Sequence, residues 1–137
     1  MPPSRHGVSA FCVAAPGVAG HHLLVSHSET ARFGPDQIVT VFRSRLDPAR
    51  AEEYSALAAR MSELAAGMPG FVDAKTFCSD DGERVTVVTF ADIDSHRAWG
   101  DHPEHRRAQE LGRTRLYLTY TIQVCVAMSA GEQPGRA

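Results

Sequence analysis

A chain of 137 residues, 43% apolar and with a formal net charge of −2, fits one globular domain and is too apolar for a disordered chain. That charge excludes the basic face that nucleic acid needs, and no apolar run is long enough to span a bilayer, so neither nucleic acid nor membrane is an expected partner. The three cysteines, Cys12, Cys78 and Cys125, are widely spaced and form no CxxC pair. Their spacing suggests neither a zinc knuckle nor a disulfide framework, and a reducing cytoplasm is the expected compartment.

Residues 1–36 show no sustained period and read as an irregular N-terminal arm, with one short strand possible from His22 to Ser26. Arg5 followed by Val8 to Ala19 mimics a signal peptide only weakly, because Ser9, Pro16 and Gly17 interrupt it. His21, His22 and His27 lack a carboxylate or cysteine at matched spacing, so no metal site is expected there. From Ile38 the signals sharpen. Ile38 to Leu46 is rich in β-branched residues and predicts a strand. Asp47-Pro48 offers an N-cap with proline in the first helical position. Tyr54, Leu57, Ala58, Met61, Leu64 and Ala65 then recur on one helical face until Gly67 ends the helix.

Phe71 to Phe77 predicts the second strand, Asp80-Asp81-Gly82 a hairpin turn, and Arg84 to Phe90 the third strand. Asp94 is expected to cap a short helix carrying Trp99, and Pro103 to reopen a helix that stops at Gly112. Leu116 to Ala127 predicts a long final strand, in which Cys125 reads as a small core residue. The order β-α-β-β-α-β is the split β-α-β pattern. It implies an α+β, ferredoxin-like domain over residues 37–127, an antiparallel sheet with two helices on one face, and a polar tail over 128–137. Apolar residues at both parities of the strands, such as Val85, Val87 and Val88, ask for a second cover. A homodimer joined through sheet faces is therefore expected.

Met68-Pro-Gly-Phe71, the strand ending at Phe90, and above all Trp99-Gly-Asp-His-Pro-Glu-His-Arg-Arg-Ala-Gln109 resemble the antibiotic biosynthesis monooxygenase (ABM) family of dimeric α/β barrels. The resemblance implies a ligand cavity in each subunit between sheet and helices. In cofactor-free members the substrate loses a proton and its anion reduces dioxygen directly, so the protein needs to exclude water, orient the ring, accept a proton and stabilise negative charge. Haem-degrading relatives hold iron with a histidine six residues after the helix-opening proline, where this chain has Gln109. They carry an asparagine in the first strand where this chain has Val41. Anthrone-oxidising relatives carry asparagine and tryptophan on the third strand at the positions of Thr86 and Phe90.

The resemblance implies a cofactor-independent monooxygenase for a small electron-rich aromatic, quinol- or anthrone-like, with dioxygen as co-substrate and no cofactor or metal. Two alternatives are a cofactor-free isomerase or cyclase, and a non-catalytic dimeric protein that binds a small molecule. Trp99 is expected to position the ring, and Phe42, Tyr54, Thr86, Phe90 and Gln109 to line the cavity. His96, His102 and His105 step by three along or beside the second helix. His102, just before the proline, is the preferred base because imidazole titrates near neutral pH. Tyr117 is the alternative proton acceptor. Tyr117 and Tyr120, three apart on a strand, are expected to face opposite sides.

Overall fold

The computed structural model describes residues 32–133 and 135. The expected strand at His22–Ser26 and the histidines before it and after it, up to His27, lie outside these residues. Strand β1 (Ile38–Leu46), helix α1 (Ala51–Ala66), strands β2 (Phe71–Cys78) and β3 (Arg84–Phe90), helices α2 (Ile93–Asp101) and α3 (Pro103–Leu111), and strand β4 (Tyr117–Val126) follow in that order. The four strands form one sheet in the order β2-β3-β1-β4, with every neighbouring pair antiparallel. This is the ferredoxin-like α+β fold, with its second helical region broken in two.

Local chemistry explains the boundaries. The Asp47 carboxylate accepts from the Ala49 amide and Pro48 opens a 3-10 turn that leads into α1, the N-cap and proline combination expected at a helix start. Asp92, and not Asp94, caps α2. Its carboxylate accepts from the Ser95 amide while the Ser95 hydroxyl approaches the Asp92 amide, a reciprocal capping box. Asp94 stands in the first turn instead. Gly70 has φ of 80°, and a Cβ there would lie 2.5 Å from Ser95 Cβ and Oγ, so only glycine lets the turn into β2 run against that cap.

Strand alternation and register assign the faces. Thr40 and Phe42 of β1 stand opposite Val88 and Thr86 of β3 on one side and Val124 and Ile122 of β4 on the other, and all six look toward the helices. Val39, Val41, Val85 and Val87 take the opposite face and are partly buried. Leu46 and Leu116 are buried toward one end of the helix side, and a larger cluster fills the other. Ala65, Phe90 and Trp99 are buried there, with Met61, Leu64, Met68, Phe71 and Val88 packed around them. The Phe71 and Phe90 rings meet edge to face at 5.8 Å. Burying Phe90, which is 1% exposed, stabilises by roughly 3 kcal/mol.

Edge strand β4 is covered far less. Tyr120, Ile122, Val124 and Val126 stand 41–60% exposed. Cys125 is a free, exposed thiol and not the core residue expected, because it stands beside Val39 on the sheet face away from the helices. Gly112 does not stop the chain's helical path either. The backbone widens into a π turn over Gly112–Leu116, and β4 begins one residue later than expected.

Candidate active site

Between the sheet and the helices lies a cavity of about 480 Å³, a size that suits a small polycyclic ligand. Sheet residues Thr40, Phe42, Thr76, Thr86 and Ile122 form its floor, and α1 contributes Tyr54, Met61 and Ala65. The helix pair α2 and α3 closes the far wall with His96, Trp99, His105 and Gln109. Exposed ion pairs steady this wall. Arg60 of α1 grips Glu104 of α3 with two hydrogen bonds of 3.1 Å, holding the Glu104 carboxyl below its ordinary range. Solvent screening keeps the contribution of such an exposed pair small.

The aromatic groups gather at two places. Phe42 meets Tyr117 at 5.3 Å and Tyr120 at 5.8 Å, and Tyr54 meets Tyr117 edge-on at 6.1 Å. The guanidinium of buried Arg84 sits 4.6 Å from the Tyr54 ring centre, a cation–π contact that fixes the ring. On the helix side, Trp99 (7% exposed) stacks on His105 with ring centres 4.1 Å apart and planes 12° from parallel. A flat ligand between these places meets ring faces and edges on two sides. Ser62, His96, Gln109 and Arg113 interrupt the apolar lining beside the threonines. The Thr76 and Thr86 hydroxyls lie 2.9 Å apart across β2 and β3, so one donates to the other and the acceptor's own hydrogen is left to donate elsewhere.

The cavity thus brings together Phe42, Tyr54, Thr86, Phe90, Trp99, Gln109 and Tyr117, while His102 does not line it. His102 leaves the helical path, with φ −60° and ψ 126°, and its Nδ1 accepts the Glu104 amide at 3.2 Å to cap α3. The ring nitrogen is spent on a backbone amide, which corrects the expectation that His102 turns inward as a base. The two tyrosines do not face opposite sides either. Arg45 pairs with Thr119 while Leu46 pairs with Tyr117, so Leu118 is an extra residue and the bulge returns Tyr117 to the face of Tyr120. Burial pushes the Tyr117 phenol far above its ordinary range, with Tyr54 adding to the rise and Arg84 opposing it. Tyr117 therefore stays protonated and can donate a hydrogen bond, but it is a poor proton acceptor.

A family model for antibiotic biosynthesis monooxygenases matches residues 37–111. The chain belongs to that family. Among ABM relatives, the uncharacterized protein YqjZ of Bacillus subtilis (strain 168) is 37% identical over 71 residues, 52% of this chain and 62% of that protein. The match therefore spans less than two thirds of that curated relative. SnoaB, a cofactor-independent oxygenase from Streptomyces nogalater, superposes with a TM-score of 0.61 at 24% identity, covering 69% of this chain and 96% of that one. Rv0793 from Mycobacterium tuberculosis gives 0.63 at 14% identity, covering 70% and 99%. At these identities the likeness establishes the ABM fold.

Of the residues around the cavity that escaped the sequence, Thr76 and His96 among them, two are instructive. His105 faces the cavity because Pro103 restarts the helix after His102, which breaks the three-residue stepping that grouped the histidines. Gly112 is the second. A Cβ there would lie 2.6 Å from Tyr117 Cε2, so its missing side chain makes room for the tyrosine ring. A glycine followed by an aromatic five residues on was the only available hint. Among the described residues, no group of three or more His, Cys, Asp or Glu side chains could hold a metal, and no helix is long and apolar enough to cross a membrane.

Proposed function

We propose that the protein is a cofactor-independent monooxygenase that oxidises a flat, electron-rich aromatic, quinol- or anthrone-like, with dioxygen. The observation that carries this reading is the aromatic cavity itself, with Trp99 on one wall and Phe42, Tyr54 and Tyr117 on the other. Stacking holds the ring, and the low polarity of the site excludes water. Deprotonated substrate transfers an electron to dioxygen and the radical pair combines to a peroxide. Loss of water then leaves a carbonyl: a CH₂ group and O₂ become C=O and H₂O. The Thr76–Thr86 hydroxyl pair supplies a donor to the oxygen that gathers charge, in place of an amide. Gln109 lines the same cavity, and an amide is a poor iron ligand beside imidazole, which disfavours haem.

A homodimer belongs to the same reading. The half-buried valines on the sheet face away from the helices, Val39, Val41, Val85 and Val87, are the surface we assign to the partner sheet. Sedimentation that finds only monomer at micromolar concentration sinks that part.

Oxygen consumption with a panel of dihydroxynaphthalenes and anthrones, after metal chelation, tests the reaction. Uptake above the spontaneous rate is expected, and Trp99→Phe is expected to lower it on the order of a hundredfold by misplacing the ring. No uptake with any compound overturns the oxygenase reading. An isomerised product would then indicate proton transfer alone, and tight binding without change would indicate a carrier.

A further inference from the structure

His105 has its hydrogen placed by the backbone. A carbonyl oxygen only accepts, so in the 2.9 Å contact with Trp99 the Nδ1 of His105 carries the proton and donates. In a neutral imidazole the other nitrogen is then a bare acceptor. Nε2 makes no hydrogen bond to the protein. Among the described residues no buried side-chain nitrogen or oxygen goes without a partner, so Nε2 is accessible to solvent, and its ring belongs to the cavity lining. We propose that Nε2 of His105 takes the proton from the ligand, which makes that ligand a neutral, weakly acidic aromatic hydroxyl or activated methylene and not a preformed anion.

The step is a proton transfer alone. The ligand's O–H or C–H bond breaks, its electron pair stays on the ligand, and an Nε2–H bond forms. The resulting imidazolium keeps Nδ1–H on the Trp99 carbonyl in the last turn of α2, whose negative end favours a cation, while its own place in the first turn of α3 opposes one. The Trp99 ring stacked on it adds a cation–π attraction. Before the transfer, burial holds the imidazole neutral, lowering its pKa from the ordinary histidine value, and the nearby His102 and His96 add to the lowering. His96 also lines the cavity, but no hydrogen bond sets its tautomer. Arg113 of the π turn also lines the cavity, but it is paired with Glu110 at 2.7 Å and its guanidinium offers only donors.

The proposal rests on the cavity being the site of the proposed oxidation, yet it has a readout that needs no dioxygen. Under argon, a nitronaphthol whose neutral and anionic forms absorb at different wavelengths is titrated into wild type and His105→Asn. The asparagine amide can still donate to the Trp99 carbonyl but has no basic nitrogen. Wild type is expected to bind the probe as its anion below the probe's own pKa. His105→Asn is expected to bind the neutral form and to lose at least about tenfold in anion fraction, one pKa unit. Where a substrate is turned over, His105→Asn is expected to cost roughly a hundredfold in rate. His105→Gln serves as the second variant if asparagine disturbs the fold. Ionisation that survives both variants overturns the proposal, and so does a wild type that binds the probe only as the neutral form. An ionised probe with no oxygen uptake from any substrate sinks the oxygenase reading and leaves the His105 assignment standing.

Discussion

The space under the helices has two halves built from the same strands. At one end Phe90, Ala65 and Trp99 close it completely. A few residues along, Thr40, Phe42, Thr86, Ile122 and Val124 face an open volume. All of these positions alternate correctly along their strands, so patterning alone does not separate core from cavity. Helix coverage separates them. α1 and α2 lie over the end of β3 that carries Phe90, while β4 meets α1 only at Tyr117 and stands exposed from Tyr120 to Val126. The lesson is that an apolar strand face specifies which way a side chain points, and the neighbouring element decides whether it packs or binds.

Substitutions can break that contrast. Phe90→Ala is expected to cost the most, about 3–5 kcal/mol, because the surrounding rings cannot collapse into the hole; denaturant titration measures it. A loss under 1 kcal/mol would mean that the closed end is as loose as the open one. Gly112→Ala comes next. Its Cβ must push the Tyr117 ring, at about 1–3 kcal/mol if the ring stays, and calorimetric titration with a bound aromatic should show weakened affinity as the wall shifts.

The third expectation concerns pH. His105 resists protonation in the folded state, so below the ordinary histidine pKa of ~6.5 the unfolded chain binds the extra proton and stability falls as pH drops, until the folded group's own pKa is passed. His105→Asn should flatten the melting temperature as pH falls below about 6.5; an unchanged slope would place the imidazole in water. The smallest effect belongs to the open half. Val124→Thr, at a site already 53% exposed, should stay within about 0.5 kcal/mol of wild type in stability and yet weaken an aromatic ligand.

Much of this was legible in the residues. Ile38 to Leu46 and Arg84 to Phe90 announce strands through β-branched runs, and their observed bounds agree with that reading. Asp47-Pro48 and Gly67 mark the ends of the first helix for reasons of capping chemistry that do not depend on tertiary context. The family resemblance carried most of the cavity wall. What the residues hid were events of one residue or one turn. Asp92 and Asp94 are equally plausible caps on paper, and only the position of Ser95 selects between them. His102 and His105 are equally spaced histidines until Pro103 pulls His102 out of the helix. The widened turn after Gly112 depends on where the Tyr117 ring needs to sit, a contact between groups that no local pattern encodes.

The extra residue at Leu118 separates the length of the chain from the shape of the cavity. Because Thr119 and Tyr117 already pair with consecutive residues of β1, removing Leu118 would leave a regular strand with both tyrosines still facing inward. Removing Thr121 instead would reverse every wall residue before it. The bulge is therefore a point of tolerated length variation, where homologous chains could gain or lose a residue without exchanging the inside of the pocket for its outside.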